Sequence, residues 1–146
     1  MNNSIRGIEC TLDENAITEL IKNTFLQDFV CFVPWCMVNN NEHIINYQSM
    51  YVNAESINNL VNSCVWELVL YIYPQNEVAT KNVYTYDEFI NSNCSCCLLY
   101  YDCGMLEIYI KKPELFQRVW EALAVLHAQD LVIKTDINDG RFILCL

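Results

Sequence analysis

Residues 93–116 read NCSCCLLYYDCGMLEIYIKKPELF. From Ser95 to about Asp102 the residues are small, apolar or aromatic, which is the composition of a buried strand. Cys103 and Gly104 mark a turn, and MLEIYI returns as a second strand. Lys111 and Lys112 end that strand. Pro113 then stands where a first helical residue belongs, because its fixed φ suits that position and its missing N–H is not needed there. Strand, turn, strand and helix within 24 positions predict an antiparallel hairpin that feeds a helix. The fold class that follows is α+β.

The same reading extends outward. WELVLYIY, residues 66–73, is the clearest strand, and Thr85-Tyr86-Asp87-Glu88 has the capping-box pattern that opens a short helix over about 86–92. Residues 28–38 and 43–52 read as strands around the polar turn NNNE, and Asn53 caps a short helix to about Cys64. Near the start, SIRGIEC is a weakly alternating strand. Thr11-Leu12-Asp13-Glu14 is a second capping box for a helix over 12–24, with Ala16, Ile17, Leu20, Ile21 and Phe25 on one stripe. The helix from 113 to about 128 carries Phe116, Val119, Trp120, Leu123 and Leu126 on one face. Finally DLVIKTDI and RFILCL read as a hairpin, with Asp139 and Gly140 supplying the positive φ of a tight turn. The expected architecture is a single α+β domain over residues 1–146: a mostly antiparallel sheet built of hairpins, with three to four helices packed on it.

Composition agrees with a folded chain. At 146 residues it can bury roughly 70% of its unfolded surface, and 53% hydrophobic content excludes a disordered tail. Neither FVCFVPWCMV, broken by Pro34, nor CVWELVLYIY, broken by Glu67, reaches the roughly 18 residues of a membrane helix. The start, MNNSIRGIECTLDEN, has no apolar core of a signal peptide. The expected location is therefore the cytoplasm, where thiols stay reduced. Nine cysteines, an odd number, cannot all pair within the chain.

The net charge is −10, and no Lys or Arg lies between Lys22 and Lys81. Nucleic-acid binding rests on cations that neutralise phosphates, so no nucleic-acid partner is expected. An acidic surface instead suits a basic protein partner.

Candidate sites are few. Cys94, Cys96 and Cys97 are too crowded for a zinc ligand pair, and alternation in a strand sends Cys94 and Cys96 to one face, Cys97 and Cys103 to the other. No metal and no cofactor is expected. Cys103, beside Asp102 at the turn, is the one candidate for a reactive thiol, as catalyst or redox sensor. His43 follows a polar turn, and His127 falls late in a helix where it can interact with the helix C-terminus. TDINDG fails as a calcium loop because Gly140 is one position early and no twelfth residue follows. Tyr71, Tyr73, Tyr101 and Tyr109, with Glu67 and Glu107 beside them, would form a protein-recognition surface if the outer face of the sheet displays them. A self-complementary tyrosine surface would instead make a homo-oligomer.

Arg6-Gly7-Ile8, YDEFINSNC, LLYYDCGMLEIYIK and TDINDGR, in that order, resemble an uncharacterised family of small proteins from Gram-positive spore-forming bacteria, a domain of unknown function numbered twenty-six ninety-one. The likeness covers most of the chain and is strongest from about residue 66 onward. It implies a cytoplasmic bacterial protein of one α+β domain and carries over no catalytic residue. Among functions, a non-enzymatic inhibitor, immunity or regulatory factor that binds a protein fits best, with a thiol enzyme or sensor and a self-associating protein as alternatives.

Overall fold

The computed structural model describes residues 4–40, 43–52, 64–75, 83–102 and 104–146. In chain order the elements are β1 (Ile5–Thr11), α1 (Glu14–Thr24), β2 (Phe29–Asn40), β3 (His43–Val52), β4 (Cys64–Pro74), α2 (Tyr86–Asn91), β5 (Cys96–Tyr101), β6 (Met105–Ile110), α3 (Pro113–Val125) and β7 (Gln129–Thr135). The seven strands form one sheet in the order β3-β2-β4-β5-β6-β1-β7, and every neighbouring pair is antiparallel. The fold is α+β. The hairpins β2–β3 and β5–β6 are sequential, whereas β1 inserts between β6 and β7, so α3 must carry the chain over it. The helix expected over 53–64 lies outside the described residues up to position 63.

Local chemistry explains the element ends. Thr85 caps α2, its hydroxyl accepting from the Glu88 N–H at 3.1 Å while the Glu88 carboxylate accepts from the Tyr84 N–H at 3.3 Å. Pro113 takes the first helical position of α3. The box read at Thr11 is different: Thr11 is used by β1, and Asp13 caps α1 by accepting from the Asn15 N–H at 2.8 Å. A carboxylate at the N-cap competes well with a threonine two residues earlier.

Alternation divides the sheet into two cores. Across one face run Leu70, Leu98, Ile108, Ile8 and Ile133, paired strand to strand. Helices α1 and α3 cover this face with Ile17, Leu20, Ile21, Leu115, Val119 and Leu123, and the layer is almost wholly apolar. Across the other run Tyr71, Cys97, Tyr109, Gly7 and Lys134. α2 covers part of it through Phe89, and the C-terminal segment covers another part through Leu144.

That C-terminal segment corrects the hairpin expected for RFILCL. After β7 the chain turns at Asp136–Asn138 and crosses the second face, meeting the residue that caps α2 through one bridge, Thr85 with Ile143. The Tyr86 N–H donates to the Phe142 carbonyl at 2.8 Å and the Leu144 N–H to the Tyr84 carbonyl at 2.7 Å. Asp139 and Gly140 do not supply a positive φ: among the described residues only Asp102, His127 and Asp130 have one. The segment is a strap over a core, and Leu144 is its fully buried anchor.

Candidate functional site

The described residues bring charged groups together in one place, beneath the strap. Lys134 on β7 is 3% exposed and its ammonium bonds the Glu107 carboxylate; Asp139 lies at 3.2 Å and Glu9 at 3.4 Å from the same nitrogen. Arg141 pairs with the second oxygen of Glu107 at 2.6 Å, and the Tyr101 hydroxyl donates to that oxygen at 2.9 Å. The Tyr109 hydroxyl donates to Asp139 at 3.3 Å.

The backbone sets this up. Lys134 must reach diagonally across β1 to meet Glu107 on β6: its register partner on β1 is Gly7, which carries no side chain, whereas Glu107 stands opposite Glu9. Gly7 is itself required: a Cβ there would overlap the Ile108 carbonyl. A register shift between Ile5 and Gly7 is a bulge that turns Arg6 out of the alternation. Arg6 lands on the strap side, 4.1 Å over the Tyr86 ring, bonding Asp136 at 3.1 Å and facing Asp139 at 3.6 Å. Asp139 Oδ2 is buried with no hydrogen-bond partner among the described residues, so Arg6 serves it by charge alone.

The pKa directions follow from these contacts. Burial pushes Glu107 up, but the bonds from Lys134, Tyr101 and Arg141 outweigh it and hold the carboxyl below its ordinary value. Burial likewise pulls Lys134 down, and Glu107 with Asp139 more than restores it, so the ammonium sits above its ordinary value. Tyr109 is driven strongly up by burial and by Glu107 and Asp139. Glu107, Lys134 and Tyr109 are thus held in their ordinary charge states at neutral pH. Chemically this is a lock, which ties strap to sheet, rather than an acid–base pair poised near neutrality.

Residues 35–145 match the family described as protein of unknown function (DUF2691). The chain belongs to that family. The match begins at Trp35, so the region before residue 66 shares in the likeness, and it contains Glu107, Lys134, Asp139 and Arg141 but not β1. No curated protein and no solved structure matches the chain.

In this family member most of the tyrosines considered for a recognition surface pack in a core. Tyr71, Tyr73 and Tyr109 are buried, as is Glu107, and only Tyr101 and Glu67 are partly open. The Tyr71 hydroxyl donates to the Leu144 carbonyl of the strap at 3.1 Å, and Glu67 accepts from the Trp35 indole at 3.0 Å. Nothing local to these strands reveals that residues 139–144 lie on top of them. Lys134, Asp139, Arg141 and Arg6 were the residues missed. A single Lys inside the apolar strand LVIKT was the signal that could have found them, since a charge there needs a buried partner.

Cys96 and Cys97 fall on opposite faces as alternation requires, but Cys94 joins Cys97, because regular strand begins only at Cys96. Burial pushes Cys10, Cys31 and Cys36 up to about 12 and Cys94 to about 11, and Cys96 and Cys97 well above their ordinary value. These thiols stay protonated and inert at neutral pH. Cys103 lies outside the described residues. His127 is exposed and closes α3 through its backbone, with φ 59° and its N–H donating to Ala124 at 3.2 Å. Among the described residues no three His, Cys, Asp or Glu side chains are placed to hold a metal ion, and no helix is long and apolar enough to cross a membrane.

Proposed function

We propose that the chain is a non-enzymatic binding protein that docks a basic protein partner, in the manner of an inhibitor, immunity or regulatory factor. The supporting observation is where charge and apolar surface fall. Three of the eight cations, Arg6, Lys134 and Arg141, are drawn into the lock beneath the strap, while Asp13, Glu19, Asp87, Glu88, Glu121 and Asp130 remain exposed. On and beside β7, Val132, Ile133 and Ile137 are 47%, 40% and 76% exposed, bracketed by the exposed Asp130 and Asp136. Exposed apolar side chains on an edge strand, rimmed by carboxylates, suit an apolar segment flanked by Lys or Arg. Nucleic acid is the partner this surface fits least.

The edge of β7 is shaped for side-chain docking rather than for strand addition. Lys134 points inward from it, and the register shift at Glu9–Thr11 with Asp130 at φ 55° breaks its regularity. Both are devices that discourage edge-to-edge pairing, which weighs against self-association at this edge. Cys10, Cys31, Cys36, Cys94, Cys96, Cys97 and Cys145 are free, in keeping with action in the cytoplasm.

The test is capture from the host extract with the wild type and with an Ile133→Lys/Ile137→Lys variant. A defined protein retained at low salt, lost at high salt and lost to the variant is the expected result. Identical retention by both, or none by either, rejects the reading.

A further inference from the structure

We propose that β3 is a docking edge for a second copy of this chain, the two sheets joining through an antiparallel β3–β3 pair about a twofold axis.

The sheet has two edge strands, β3 and β7. β7 spans only seven residues, turns Lys134 inward, shifts register against β1 at two places and holds Asp130 at φ 55°. Each of these discourages another strand from adding to it. β3 is ten residues long and runs against β2 from His43 to Val52 with no shift in register. Its sequence, HIINYQSMYV, has no Pro to remove a donor and no Lys, Arg, Asp or Glu to keep a neighbour away. Every second residue of an antiparallel strand directs both its N–H and its C=O to the same side. The side of β3 away from β2 is thus a row of ladder groups to which no described strand bonds. Tyr51, 59% exposed with its ring against Phe32 at 5.2 Å, leaves an aromatic side chain open on the same strand.

Charge selects the occupant. In a strand pair related by a twofold axis, residues near the middle stand opposite their own copies, and like charges opposite each other are destabilising. A chain of net charge −10 therefore pairs with itself best along a strand free of carboxylates. Neither β3 nor β2 beside it contains Asp, Glu, Lys or Arg, whereas β7 contains Asp130 and Lys134. A basic segment, which suits the carboxylates exposed elsewhere, finds none on β3. The contact is isologous and uses the same strand of each chain. With β7 guarded, assembly closes at two copies and does not extend into fibres. This edge lies at the opposite end of the sheet from Val132 and Ile133 and does not rest on the protein-binding reading.

Sedimentation velocity of the full chain measures the mass, and backbone hydrogen exchange locates the contact. The expected mass is that of two chains at concentrations on the order of 0.1 mM, with alternate amides between residues 43 and 52 exchanging more slowly as concentration rises. Asn46→Lys/Gln48→Lys, which exchanges two polar residues for cations that would face their own copies, should return the mass to one chain. Ile133→Lys/Ile137→Lys should leave it at two, so that this proposal and the protein-binding reading fail separately. Should Asn46→Lys/Gln48→Lys not fold, mass and exchange in the wild type decide alone. A single-chain mass throughout, a mass above two chains, exchange at β3 that ignores concentration, or a two-chain mass that survives in the folded lysine variant overturns the proposal.

Discussion

The two faces of the sheet are closed in different ways. On one, two helices of 11 and 13 residues satisfy most of their own backbone groups internally, so their apolar stripes can be laid on a sheet face that is almost wholly apolar. On the other, the strap is irregular. Its carbonyls and N–H groups must find partners, and the core beneath it accordingly carries the Tyr71 hydroxyl, the Tyr101–Glu107 bond and three cations. A cover without secondary structure requires polar chemistry in the core it covers.

The contrast can be broken from either side. Lys134→Met should cost about 3–5 kcal/mol, because it leaves Glu107 and Asp139 buried without their shared cation; urea denaturation measures it. Replacing Glu107 by Leu in that variant should recover part of the loss, as removal of a whole buried ion group often does. On the helix face, Leu98→Ala should cost about 2–5 kcal/mol through its cavity, with no dependence on pH.

Gly7→Ala, which drives a methyl group into the Ile108 carbonyl, should cost about 1–3 kcal/mol by overpacking and shift the melting temperature accordingly. The lock should show itself in pH dependence. Glu107 titrates below its ordinary value when folded, so its stabilisation is complete above the unfolded pKa, about 4.3, and is lost as pH falls through the folded one. Lys134 titrates above its ordinary value, so its share is present below about 10.4 and is lost as pH rises through the folded value. Glu107→Gln should flatten the acid limb of stability against pH, and an unchanged limb would remove Glu107 from the lock. The smallest effect is Tyr71→Phe: about 1 kcal/mol for one bond to the strap, read as faster proteolysis near Leu144.

The helix face was legible because its evidence is local. Pro113 at the start of α3 and the stripe Ile17, Leu20 and Ile21 on α1 each act within a few residues, and each recurs in the structure. The strap face was not. RFILCL has the composition of a strand, and only contacts such as Arg141 with Glu107, 34 positions away by subtraction, decide that it lies across the sheet. The Thr11 box failed by a local competition, Asp13 being the better cap. Arg6 depended on a bulge, which no alternation pattern announces.

The insertion of β1 between β6 and β7 bears on how the chain acquires its structure. Gly7 pairs with Tyr109 and with Lys134, so the central strand of one half of the sheet cannot be seated until partners about a hundred residues downstream are in place. Such distant pairings place a domain among the slow folders, in milliseconds to seconds. Until β1 docks, β6 offers an open edge with Ile108 and Ile110 beside it, and that interval is when the chain is most exposed to aggregation.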